Sequence, residues 1–179
     1  IRMLFQGMKE LKEFCIPFSS LKLGTNPFNF EIDKSFFDIF NYSRYSTCNV
    51  SLKLDFRKEN LLMDLRFHYS GFCEVNCDRC LDLVKIPIEN KFNCLIKFLQ
   101  QDQEIIKDDI VYLPEDSFEY NIGQLFYEHF LINFPKRIVH QKNQCNDKQI
   151  KLIDDYSQKQ TTTEQDPRWN KLKALKKEN

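Results

Sequence analysis

Between Thr47 and Phe98 apolar and polar side chains alternate with period two. Val50, Leu52, Leu54 and Phe56 oppose Ser51, Lys53, Asp55 and Arg57; after Lys58-Glu59-Asn60, Met63, Leu65, Phe67 and Tyr69 oppose Asp64, Arg66, His68 and Ser70. That alternation belongs to half-buried strands, and the polar break between the runs predicts an antiparallel hairpin. A third run, Cys73, Val75 and Cys77 against Glu74 and Asn76, leads through Asp78-Arg79 into a fourth with Val84, Ile86, Ile88, Phe92, Cys94, Ile96 and Phe98 in one phase. Successive strands sharing one apolar face predict a meander, and that face needs a cover.

The cover is expected in Asn121 to Phe134, where Ile122, Leu125, Phe126 and Phe130 recur at helical spacing, Asn121 and Gln124 fit a capping box, and Pro135 stops the helix. Burying four such side chains contributes about 6–12 kcal/mol of transfer free energy. Asp33 is placed to cap a shorter helix through Phe40, with Phe36, Phe37 and Phe40 on one face. Upstream, Glu10 to Phe18 and Phe28 to Ile32 predict two strands around a turn at Gly24-Thr25-Asn26-Pro27. The expected fold class is α+β: an antiparallel meander covered by one or two helices, with a partly disordered basic C-terminal tail.

The organisation follows. Residues 1–7 read as a linker ahead of a natural start at Met8, residues 8–140 as the core domain, residues 141–165 as a flexible linker and residues 166–179 as a basic docking segment. Ser157 to Gln165 holds no apolar residue, whereas the stretch after it contains the only Trp, with Asp166 as N-cap and Pro167 at the first helical position. Trp169, Leu172 and Leu175 would lie on one side of that short helix, which at about ten residues is not stable alone. It is expected to fold against RNA, a partner protein or the chain's own sheet.

Composition adds bounds. The chain has 179 residues, 42% hydrophobic, with 17 Phe, which suffices for one core. No apolar run reaches the roughly 18 residues of a spanning helix and no signal peptide is evident, so a cytoplasmic protein is expected. Four Gly, none in a phosphate-cradling motif, leave nucleotide folds without support. The zero formal net charge hides an asymmetry: residues 136–179 carry 11 basic and 6 acidic side chains, the rest 15 and 20. A polyanion would therefore meet the tail first.

Seven Cys, an odd number, suggest reduced thiols, with Cys15, Cys48 and Cys94 as small buried hydrophobes. Cys73-x3-Cys77-x2-Cys80 has the spacing of a radical-enzyme iron-sulfur motif, but the barrel and glycine-rich loops such enzymes need are missing. Cys77-x2-Cys80 suits one half of a tetrahedral zinc site, which His140 and Cys145 would complete if the chain folds back; otherwise the thiols stay unliganded. None of His68, His129 and His140 stands in a recognisable Ser, Asp or Glu constellation, so no catalytic residue is assigned.

Cys77-Asp78-Arg79-Cys80-Leu81, the helix end Leu131-Ile132-Asn133-Phe134-Pro135, the His140 to Cys145 segment and Asp166-Pro167-Arg168-Trp169 with Leu172 occur in an order and spacing that resemble the YceD family of large ribosomal RNA subunit accumulation proteins. The resemblance covers nearly the whole chain from Met8. Many members carry further cysteines after the proline, where this chain keeps Cys145 and His140. The resemblance implies a non-enzymatic ribosome-biogenesis factor whose partner is large-subunit ribosomal RNA precursor or a ribosome-assembly protein, with neither membrane nor small-molecule substrate. Contacts would then come from Arg79, Lys136, Arg137, Arg168, Lys171, Lys173, Lys176 and Lys177, with Trp169 and Leu172 supplying stacking or an apolar anchor. The alternative is a protein-interaction adaptor with a structural zinc half-site and no direct RNA contact.

Overall fold

The structure, a computed structural model, describes residues 11–99, 105–107, 110–141 and 143–160, with backbone alone for 105–107 and 158–160. The chain divides into two units: one holds the described residues within Ile1–Asn76 and Leu83–Ile138, the other those within Cys77–Asp82 and Val139–Asn179.

In the first unit the elements run β1 (Cys15–Ile16), β2 (Gly24–Asp33), α1 (Lys34–Ile39), β3 (Tyr45–Lys58), β4 (Leu62–Asn76), β5 (Leu83–Leu99), β6 (Ile105–Lys107), β7 (Ile110–Pro114), β8 (Tyr120–Asn121) and α2 (Gly123–Asn133). The fold is α+β, as the alternation predicts. Strands β2 to β5 form an antiparallel meander, and the full sheet has the order β2-β3-β4-β5-β7-β6. Leu52 lies opposite Tyr69, Leu54 opposite Phe67 and Phe56 opposite Leu65, so the in-phase residues of both runs share one face and are buried together.

Helix α2 places Ile122, Phe126 and Phe130 in that core, with Leu125 half-buried. The abundance of Phe has a geometric consequence. Phe126 meets Tyr69 edge-on at 5.3 Å between centroids and Phe36 at 5.7 Å, while Phe130 lies 5.0 Å from Phe37. The two pairs made by Phe126 are edge-to-face and each add about 0.5–1.5 kcal/mol beyond burial, whereas Phe130 and Phe37 are tilted at 49°. The helix ends where expected, Phe134 N donating to Phe130 O at 2.9 Å before Pro135.

Several local expectations are corrected. The second and third runs are one strand, β4, because Cys73 and Val75 keep the phase of Tyr69 through Gly71. A Cβ there would collide with the Asn49 and Val50 backbone, which only Gly avoids. Gly24 to Pro27 opens β2 and makes no turn; β2 is the sheet edge, where a Pro lacking its N–H is tolerated. The capping box of α2 does not form, since Asn121 Oδ1 accepts from Gly123 N while Gln124 Nε2 donates to Glu128. Strand β7 pairs with β5 in parallel, an addition that alternation could not reveal. Cys48 and Cys73 face each other across β3 and β4, Cα atoms 4.1 Å apart, and are joined as a disulfide, so the expectation of seven reduced thiols fails at this pair.

In the second unit, α3 (Asp147–Gln160) occupies much of the segment expected to be linker. Asn146 caps it: its carbonyl accepts from Ile150 N at 3.1 Å and its Oδ1 from Lys148 N at 3.1 Å. Residues 161–179, with the Trp-containing segment, lie outside the described residues. Among the described residues no helix is long and apolar enough to cross a membrane.

Candidate metal centre

The second unit brings together the four residues that spacing alone left as two halves. As β4 ends, Cys77 N donates to Asp82 O at 2.8 Å and Leu81 N to Cys77 O at 3.0 Å, closing a tight turn completed by Leu81 at a φ of 65°. The turn buries both of its thiols and exposes Asp78, Arg79 and Leu81. The chain returns after Ile138, and His140 and Cys145 face the turn.

The distances decide what the set can hold. Cys80 Sγ lies 3.3 Å from His140 Nδ1, Cys145 Sγ 3.9 Å from that nitrogen, and Cys77 Sγ 4.0 Å from Cys145 Sγ; one ligand atom from each of the four lies within 4.8 Å of every other. A tetrahedral ion with Zn–S near 2.3 Å and Zn–N near 2.05 Å requires ligand separations of about 3.8 Å for S···S and about 3.6 Å for S···N. The four residues are therefore a group able to hold a metal ion, and the donor set, three thiols and one imidazole, is of the structural zinc type.

The electrostatics run the same way. Burial alone would raise the Cys77 pKa, but the backbone N–H groups of Cys80, Arg79 and His140, with the Cys80 thiol, pull it down to about 6. The Arg79 amide is one such donor, at 3.4 Å from the sulfur. Cys145 is pushed up, first by desolvation and then by its bonds to Cys80 and Cys77 and their charge. A cation held by the four would offset that crowding of negative charge.

Around the group, Arg79 Nη1 reaches to 4.0 Å from Cys145 Sγ, and Asn146, the cap of α3, donates from Nδ2 to Asp82 Oδ2 at 3.3 Å. The turn and α3 are thus tied by polar contacts. Sequence reading missed Asn146 and Asp82, although Asn-Asp ahead of an Ile at helical spacing is a capping signal. Among the described residues of this unit the buried apolar side chains are Cys77 and Cys80 alone. A small unit whose described residues bury so little is of the kind that a metal stabilises.

The other site residues separate. Lys136 and Arg137 are exposed in the first unit after α2, Lys136 O accepting from Arg44 Nη2 at 3.2 Å, whereas Arg79 is exposed in the second. Arg168, Trp169, Lys171, Leu172, Lys173, Lys176 and Lys177 lie outside the described residues. His129 stacks on Phe92 at 3.7 Å and His68 sits 3.7 Å from Glu89 on the polar sheet face.

The chain thus combines an α+β sheet unit with a second unit that contains a Cys3His group able to hold a metal ion. Residues 65–176 match the family of the large ribosomal RNA subunit accumulation protein YceD, and the chain belongs to that family. The family's name ties it to accumulation of large-subunit ribosomal RNA. No curated protein and no solved structure matches the chain.

Proposed function

We propose that this protein is a non-enzymatic, cytoplasmic assembly factor that supports accumulation or processing of large-subunit ribosomal RNA by binding the precursor RNA, with zinc as the ion held by Cys77, Cys80, His140 and Cys145. The observation that carries the reading is the convergence of that Cys3His group in a chain of this family. Zinc would act as a fold-making ion with all four positions filled by protein, a closed set that leaves no open position for a substrate.

The metal-stapled turn holds Arg79 outward as a fixed cation, and Lys136, Arg137, Arg168, Lys171, Lys173, Lys176 and Lys177 add positive charge from the C-terminal part of the chain. Trp169 and Leu172 supply a stacking or apolar contact beside them. The adaptor reading has one observation in its favour: Leu81, on the same turn as Arg79, is 68% exposed and suits a protein partner.

The test is binding of the full chain to large-subunit precursor RNA at a series of salt concentrations. Replacing Arg79, Lys136 and Arg137 by Gln is expected to weaken binding and flatten its salt dependence, the log–log slope falling by about 0.7 to 0.9 for each phosphate no longer neutralised. Binding unchanged by these substitutions, with loss of a copurifying assembly protein in Leu81→Asp, would support the adaptor instead.

A further inference from the structure

Where β5 runs through Pro87 to Asn90 beside the end of α2, the two elements enclose a cavity of about 130 Å³. Tyr69, Phe130 and Phe134 are its buried walls, while Asn90 is half-buried and Asn133 and Pro135 are exposed at its rim. Among the described residues β5 has a strand on its far side only from Leu95 to Leu99, where β7 pairs with it, so the cavity stands at a sheet edge.

We propose that this cavity takes a single unpaired pyrimidine base of RNA, with the phosphates of the same strand on the cations at its rim. The proposal rests on the RNA-binding reading above and adds where on the chain one base is read.

Size selects the base. An apolar cavity of about 150 Å³ takes up a benzene ring, so a cavity of about 130 Å³ has room for one six-membered ring and not for the two rings of a purine.

Polarity selects a base over an apolar ring. Asn90 Oδ1 accepts from the Lys91 amide at 2.7 Å, and Asn133 Nδ2 donates to His129 O at 2.8 Å. The two carboxamides are left with an N–H of Asn90 and the Oδ1 of Asn133 to offer a ligand. A pyrimidine presents an acceptor beside a donor on its pairing edge, O4 and N3–H in uracil or N3 and N4–H in cytosine, and matches that pair. An aromatic side chain of a peptide would leave both carboxamides unmatched.

Charge places the strand. The Arg44 guanidinium lies 5.8 Å from the centroid of the Phe134 ring, and its Nη2 donates to Lys136 O at 3.2 Å. Lys136 and Arg137 follow Pro135 and are exposed. A base seated against Phe134 thus brings its phosphates to a cationic rim.

The test compares short single-stranded oligouridine, oligocytidine and oligoadenine of equal length, titrated at one salt concentration against the full chain purified without chelator. Both pyrimidine strands are expected to bind several-fold more tightly than oligoadenine. Asn133→Ala, at an exposed helical position, should cost about fivefold in pyrimidine affinity, the effect of one hydrogen bond. It should leave oligoadenine binding and the salt dependence as they were, because no phosphate contact is lost. Asn90→Ala, on β5, should repeat the result from the other side of the cavity, whereas Lys136→Gln should weaken all three strands alike. Equal affinity for pyrimidine and purine strands, or a preference that survives both Asn substitutions, would overturn the base pocket and leave RNA binding in place. No binding of any RNA, the large-subunit precursor included, would overturn the RNA-binding reading and this proposal with it.

Discussion

Within the Cys3His group the Cys77 and Cys145 thiols are shifted in opposite directions. Cys77 is the thiol prepared as a thiolate, and the donors that prepare it are backbone amides fixed by the turn, among them that of Arg79 at 3.4 Å. Its pKa is depressed, so the stabilisation it brings is fully present above the ordinary thiol value of 9.0 and is lost as pH falls through about 6. Protons compete with a metal for these thiols, so metal retained at neutral pH is expected to be released on acidification to pH values below the pKa of the metal-free thiol, as elemental analysis of dialysed samples would show. Cys80→Ser removes one of the four candidate ligands, a buried thiol. It should weaken metal binding by more than the roughly 10–100-fold typical of outer-shell partners. Stoichiometric metal in Cys80→Ser would show that the thiols are only structural.

Among the elements, α1 shows how much one side chain sets. Asp33 accepts from the amides of Ser35 and Phe36 at 2.8 and 3.3 Å, ending β2 and starting the six-residue helix that turns Phe36 and Phe37 into the core. Asp33→Ala is expected to cost about 1 kcal/mol in urea unfolding at neutral pH. The Ser35 hydroxyl first, against the opposing effect of burial, and then the two amides hold the Asp33 carboxyl below its usual value of 3.8. The cap's contribution is therefore present above that value and lost as pH falls through the depressed one, so the difference between Asp33→Ala and the unaltered chain should shrink in acid. A gap that stays constant would mean Ala costs something other than the cap. Helix α3 lies at the other extreme: Leu152, Ile153 and Tyr156 are 50%, 41% and 68% exposed.

At the scale of the whole molecule, the two units differ in what stabilises them. The first has a continuous core from Leu11 to Ile138, rich in Phe, while the described part of the second buries little beyond two thiols. On the zinc reading proposed above, chelation is expected to collapse the hydrogen-exchange protection of α3 while the amides of β3, β4 and β5 keep theirs, because the Cys3His group lies in the second unit. Equal loss in both units would show that the ion holds the entire fold. Protection of α3 that survives chelation would remove zinc from the account.

Period-two alternation and Phe spacing were enough to place the meander, α1 and α2, because each such pattern needs only near neighbours on one face of one element. The Asp33 cap and the Pro135 stop were legible for the same reason. Alternation is silent about which strand lies beside which, so the parallel β5–β7 pair, the Cys48–Cys73 opposition and the merging of two runs through Gly71 came only from register in three dimensions. The Cys77-x2-Cys80 half of the metal group is local and could be read from spacing. Its closure by His140 and Cys145 is not, since it joins residues about sixty apart through a turn and a capped helix, and contacts at that separation are set by tertiary packing.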